Sequence, residues 1–127
     1  MTIGVGVDII AINRIRDALE TTGKVFMNKV LTPWEQKRAE THPDTVAYVA
    51  MIFAAKEAIF KTFGIGWHFG GQMTEIEVQE GKYGEPIPVL KGRFAELAAE
   101  RGVSRVLLSL SYDGDYTVAV AALSRGQ

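Results

Sequence analysis

Val and Ile dominate Thr2 to Ile12, interrupted by Gly4 and Gly6, a pattern that predicts a buried strand approached closely by another element. Asp8 sits inside it. Asn13 is expected to cap a short helix in which Ile15, Ala18 and Leu19 share one face, with Gly23 ending it. Arg14 and Arg16 open that helix. Thr32-Pro33-Trp34-Glu35 combines a cap, a proline at the first helical position and a glutamate at the third, so a second helix starts there. His42-Pro43-Asp44 breaks it. Asp44 or Thr45 then caps a longer helix running to about Phe63, with Gly64 beyond it. Val46, Val49, Phe53, Phe60 and several alanines fill most of its circumference, so this helix is expected at the centre, buried on more than one side. Lys56, Glu57 and Lys61 interrupt its apolar surface.

Gly64 to Gly71 holds four glycines with Trp67, His68 and Phe69, which suits a mobile loop. Thr74 to Glu80 alternates around Ile76 and Val78, and Gly81 to Pro86 supplies turn residues before Val89 and Leu90, predicting a hairpin. Phe94, Leu97 and Ala98 mark a last helix ended by Gly102. Val103 to Tyr112 and Tyr116 to Leu123 then flank Asp113-Gly114-Asp115 as a second hairpin. The expected class is α+β and largely antiparallel, a single domain over 1–127 without repeat or linker.

The 127 residues carry 14 Lys plus Arg against 15 Asp plus Glu. A net charge of −1 gives no global attraction to nucleic acid or an anionic membrane, so a polyanion needs a local cluster. There is no cysteine, which excludes disulfides, thiolate metal sites and cysteine nucleophiles and fits the cytoplasm. The longest apolar run, Val46 to Ala55, is far short of the roughly 20 residues that cross a bilayer. No secretory signal is expected, because the first apolar stretch lacks a basic lead and is broken by Asp8. His42 and His68 are expected at the surface.

Two carboxylates stand in apolar settings, Asp8 in the first strand and Glu57 in the central helix. An unpaired buried carboxylate is costly, so each must meet a cation, a basic side chain or strong donors. If the two converge, a divalent metal is one solution. Two carboxylates leave an octahedral shell incomplete, which suits Mg²⁺, an ion that keeps waters and takes substrate phosphate oxygens. Lys61, four residues after Glu57, makes a helix ion pair of about 0.2 to 0.5 kcal/mol the simplest account of that pair taken alone. Asp8 alone is equally compatible with bonding to backbone amides.

Gly6-Val7-Asp8-Ile9-Ile10 with Arg14-Ile15, Leu31-Thr32 with Glu35, and Phe53-Ala54-Ala55-Lys56-Glu57-Ala58 with Lys61 follow one another in order. Ile76-Glu77-Val78, Gly84 with Pro86, and Ser109-Leu110-Ser111 with Asp113 continue the series. Together they resemble the holo-[acyl-carrier-protein] synthase family, the small phosphopantetheinyl transferases, over essentially the whole chain. The resemblance implies that fold, with an antiparallel sheet packed on a long central helix. It implies transfer of 4′-phosphopantetheine from coenzyme A to a serine of apo acyl carrier protein, releasing adenosine 3′,5′-bisphosphate. It further implies Asp8 and Glu57 as Mg²⁺ ligands, Lys61 against the leaving phosphate, and Glu57 as candidate base for the serine. Coenzyme A would meet Phe53, Lys61, Gly64, Gly66, Gly84, Pro86 and Tyr112. Arg14 and Arg16 would meet the acidic carrier protein, and a homotrimer would place each site between neighbouring subunits.

Three positions depart from the family pattern. Ile52 stands where arginine is usual, Glu85 where lysine or arginine is frequent, and Tyr112 where histidine is common. They bear on affinity for the coenzyme A 3′-phosphate more than on reaction class. They leave, as the alternative, a non-catalytic or weakly active paralogue that binds coenzyme A or carrier protein. No Gly-x-x-x-x-Gly-Lys-Ser/Thr phosphate loop is present to support another phosphotransfer class.

Overall fold

The computed structural model describes residues 1–66 and 69–126. In chain order the elements are β1 (Thr2–Ala11), α1 (Ile12–Thr21), α2 (Lys24–Val30), α3 (Pro33–Thr41), α4 (Thr45–Thr62), a 3₁₀ turn at Met73–Glu75, β2 (Ile76–Glu80), β3 (Pro86–Leu90), α5 (Gly92–Glu100), β4 (Val103–Asp113) and β5 (Tyr116–Arg125). One antiparallel sheet has the order β1-β5-β4, and β2 and β3 form a separate antiparallel hairpin. The α+β class expected from the sequence is the one observed. Trp67 and His68, placed by the sequence in the glycine-rich loop, lie outside the described residues. No helix among the described residues is long and apolar enough to cross a membrane.

The helix boundaries follow local chemistry. Thr32 accepts from the Glu35 amide while the Glu35 carboxylate accepts from the Thr32 amide, a reciprocal cap at α3. Asp44 caps α4 by accepting from the Ala47 amide at 3.1 Å. Past Phe63, Gly64 takes φ +64°, a left-handed turn that costs glycine nothing and ends the helix. At α1 the expectation fails. The cap position is Ala11, with no side-chain bond, and Asn13 lies inside the helix, where its Oδ1 accepts from Arg16. The Ile12 amide is satisfied instead by the Asp115 carbonyl at 2.8 Å, a tertiary bond invisible to local reading.

α4 is the spine. Ala50, Ala54, Ala55, Ala58 and Ile59 are fully buried, with Phe60 and Phe63 packed near Phe94. Its close contact with β1 explains two glycines. A Cβ at Gly6 would clash with the Ala58 carbonyl oxygen, and one at Gly4 with that of Thr62, so only glycine lets helix backbone and strand meet this closely. The reading of β1 as a buried strand is corrected here. It is an edge strand whose inner face carries Gly4, Gly6, Asp8 and Ile10, while Val5, Val7 and Ile9 are exposed on the other.

A buried ionic hub ties the helices to the β2–β3 hairpin. Lys56 Nζ, fully buried, donates to Glu35 Oε1 at 2.6 Å and to the Val30 carbonyl at 2.5 Å. Glu35, equally buried, also accepts from the Val78 amide at 2.6 Å. One carboxylate thereby fixes the start of α3, the middle of α4 and β2, and one ammonium holds the end of α2. Burial pulls the Lys56 ammonium below the usual lysine range, with Glu35 working the other way.

Candidate active site

β1 and α4 bring the two carboxylates of the sequence reading into one neighbourhood. Asp8 follows the glycines on the inner face of β1, so its side chain is turned toward α4 and is largely buried. Phe53, Glu57 and Lys61 recur every four residues along one stripe of α4. Lys61 does not pair with Glu57. Its Nζ reaches across to β1, donating to the Val7 carbonyl at 3.0 Å and to Asp8 Oδ1 at 3.1 Å. The simple helix ion pair is thereby replaced by a link between two elements.

Glu57 has no hydrogen-bond or ion-pair partner among the described residues. Its carboxyl is pushed above the usual range, first by burial and then by the negative charge of Asp8, while Lys61 and Arg14 oppose the shift. Two like charges thus share one desolvated site with a single ammonium bonded to one of them. Arg14, exposed at the start of α1, faces this site from the same chain. Arg16 turns to Asn13.

Two cavities flank α4. The larger, about 790 Å³, lies against Phe53 and Glu57 and is lined also by Phe26 and Val30 of α2 and by Met73 and Thr74. The smaller, about 340 Å³, is lined by Arg38, Tyr48, Ile52, Gly84, Pro86 and Leu110. At 3.6 residues per turn, Tyr48 and Ile52 lie on nearly the opposite side of α4 from Phe53 and Glu57. The residues expected around coenzyme A are therefore divided within one chain. Phe53 and Lys61 lie on the carboxylate side, Gly84 and Pro86 on the other, and Tyr112, exposed near the end of β4, lines neither cavity. Gly64 and Gly66 follow α4 and also lie outside both linings.

A family model described as the 4′-phosphopantetheinyl transferase superfamily matches residues 4–121. The chain belongs to that superfamily. The holo-[acyl-carrier-protein] synthase of Desulforudis audaxviator is 40% identical to this transferase over 126 residues, covering 95% of this chain and 92% of that one. The crystal structure of the Neisseria meningitidis holo-[acyl-carrier-protein] synthase matches with a TM-score of 0.91 at 31% identity, covering 98% of this chain and 100% of that one. The Bacillus anthracis enzyme, solved in complex with CoA (3′,5′-ADP), matches with a TM-score of 0.82 at 31% identity and 99% coverage of each chain.

Sequence reading of this transferase missed one wall of the larger cavity and part of the smaller. α2 was not predicted, because a seven-residue helix with Gly23 at its cap position shows too few turns for a helical period. Its Phe26 stacks on Phe53 with ring centroids 6.0 Å apart. An aromatic at 26 between apolar neighbours was the available signal. His42, expected at the surface, is partly covered there, its ring 5.3 Å from that of Tyr48.

Proposed function

We infer that this chain is a holo-[acyl-carrier-protein] synthase, moving 4′-phosphopantetheine from coenzyme A to a serine of apo acyl carrier protein, with residues 1–127 acting as one transferase domain. The observation that carries the chemistry is the convergence of Asp8, Glu57 and Lys61 across the β1–α4 contact. Asp8 and Glu57 fit Mg²⁺. One carboxylate has no partner, the other repels it, and among the described residues no third His, Cys, Asp or Glu completes a cluster. Such a half-built oxygen site suits an ion that keeps waters and accepts phosphate oxygens. Bound there, Mg²⁺ would neutralise and orient the pyrophosphate of the donor.

The remaining roles fall to this chain's own groups. The serine Oγ forms a bond to the phosphorus on the pantetheine side, and the bond from that phosphorus to the bridging oxygen breaks, releasing adenosine 3′,5′-bisphosphate. Glu57 takes the serine proton. Lys61 donates to Asp8 and to the Val7 carbonyl and is half-exposed, so its third N–H is left for the charge developing on the leaving phosphate. Phe53, Gly64, Gly66, Gly84, Pro86 and Tyr112 contact coenzyme A. Arg14 and Arg16 steer the acidic carrier onto α1. The cysteine-free sequence fits work in the cytoplasm.

A homotrimer is part of the proposal. The outer face of the three-stranded sheet exposes Val5, Val7 and Ile9 beside Val120 and Leu107, with Val7 directly paired to Val120. A contiguous apolar sheet face of this kind marks an interaction surface. Self-association there would also let the two halves of the coenzyme A set come from neighbouring chains. Val7→Glu points into solvent in one chain, so it should leave folding intact yet lower the mass in sedimentation equilibrium from three chains to one, with transfer lost. An unchanged trimer would remove this surface from the account.

The test of the reaction is mass spectrometry of an apo acyl carrier protein incubated with the chain, coenzyme A and Mg²⁺. The carrier should gain the mass of one phosphopantetheinyl group. No gain with several carriers would favour a binding module built on the same fold.

A further inference from the structure

α5 lines neither cavity, yet it holds one wall of the larger, the segment Gly71, Gln72, Met73 and Thr74. Three links fasten residues 69–75 to α5, all of them within one chain. Arg93, half-exposed, sets its guanidinium 4.5 Å from the Phe69 ring centre, over its face, and its Nη2 donates to the Phe69 carbonyl at 3.5 Å while Nη1 stays on Glu96 at 3.2 Å. Phe94 packs between that ring and α4, its ring centre 5.5 Å from that of Phe69 and 6.1 Å from that of Phe60. The Glu75 carboxylate supplies the third link. One oxygen accepts from the Gln72 amide at 2.9 Å and the other from the Arg93 amide at 3.2 Å. Lys91 stands at the cap position of α5 and gives it no side-chain cap bond, so Glu75 serves that end of the helix from outside.

Two glycines permit this fit. A Cβ at Gly71 would lie 2.5 Å from the Phe94 ring, and one at Gly92 would collide with the Glu75 carboxylate. Glu75 ends the 3₁₀ turn that begins at Met73, so fixing it also fixes the wall residue two positions before it. A wall pinned before anything enters the cavity imposes no ordering cost on the group that binds. A wall free to sample other positions lowers the binding-competent fraction, and apparent affinity falls by that fraction while the bound state stays the same.

We propose that Arg93 and Glu75 are positioning residues for transfer: through Phe69 and Gln72 they hold the 71–74 wall where the donor needs it, and so set the KM for coenzyme A. The proposal rests on the transferase reading above, in which Phe53, on the same cavity, meets the donor.

The experiment measures kcat and the KM for coenzyme A at saturating carrier and Mg²⁺, with hydrogen exchange of the same proteins. Arg93→Met should raise that KM about three- to fivefold, the scale of one partly exposed cation over a ring, and leave kcat within about twofold of wild type. Arg93→Lys keeps a cation over Phe69 and should retain the wild-type KM. Phe69→Leu should raise the KM at least as far as Arg93→Met, and adding Arg93→Met to it should change nothing further, since both break one link. Glu75→Gln keeps the shape but offers one acceptor oxygen to two amides, so the KM should rise about tenfold. In each loosened variant exchange should quicken at 69–73 and stay unchanged in α4 and β5. A KM unmoved by Arg93→Met and Glu75→Gln, a fall in kcat in place of the rise in KM, or exchange quickened throughout the chain overturns the proposal. Absence of transfer by the wild type is a different result: it removes the transferase reading itself, and this inference with it.

Discussion

Glu57→Gln should cut phosphopantetheine transfer by about 10²- to 10³-fold or more, the scale of losing a group that acts on the charge of the transition state. The same variant should be more stable than the wild type when metal is removed, its melting temperature higher by about 2–4 °C at neutral pH. Burial and the charge of Asp8 both disfavour the ionised Glu57, so the folded chain binds that proton more tightly than the unfolded chain does. The favourable contribution of the protonated carboxyl is complete below the ordinary glutamate range. It is lost as pH rises through that range and up to the raised value in the folded state. Glutamine has no such charge to hold, so the gap between the two proteins should widen from pH 4 to pH 8. Melting curves of the metal-free proteins across that range check the sign. A variant less stable than wild type at neutral pH would show that Glu57 is held by contacts rather than strained for function.

Lys56→Met should have the largest effect on stability, a loss of about 3–5 kcal/mol, because it strands the Glu35 carboxylate in the interior. Glu35 holds the Thr32 and Val78 amides through separate oxygens, so the damage should spread to the start of α3 and to β2. Adding Glu35→Gln should recover a substantial part, since neutral partners of similar shape leave no buried charge behind. Denaturant midpoints for the single and the double variant separate the outcomes. A single substitution costing less than about 1 kcal/mol would mean that the hub relaxes or admits water.

What the sequence makes legible follows from the range of the forces involved. The α3 and α4 caps are settled within four residues, and the Thr32-to-Glu35 box and Asp44 cap form as their local chemistry requires. The β4–β5 turn at Gly114-Asp115 is equally local. Gly4 and Gly6 signalled a close approach, although only the fold shows that the approaching element is α4. The start of α1 misleads because the Ile12 amide is met by Asp115, over 100 residues away. β1 looks buried because its outer Val and Ile residues are apolar, and composition alone cannot tell an exposed apolar sheet face from one covered within the chain.

The site divides in the same way. Asp8 and Glu57 stand out as carboxylates amid apolar neighbours, and their charge is reason enough to look for a shared partner. Lys61 could be placed beside Glu57 by helical spacing but not across to Asp8, since that link depends on how β1 lies on α4. The smaller cavity gathers residues from α3, α4, β2, β3, β4 and the turn at Gly84, so no stretch of sequence carries it. Tyr48 illustrates the gap: its ring belongs to the apolar face of a central helix, while its unpaired hydroxyl becomes visible only in three dimensions.

Calorimetric titration of Mg²⁺ into the chain in the presence of coenzyme A tests the central claim most directly, with Asp8→Asn as the comparison. One tightly bound Mg²⁺ per chain is expected for the wild type, with that binding lost in Asp8→Asn. Equal Mg²⁺ binding by both proteins, or full transfer by the wild type with divalent metal removed, would contradict the assignment of Asp8 and Glu57 to a shared cation.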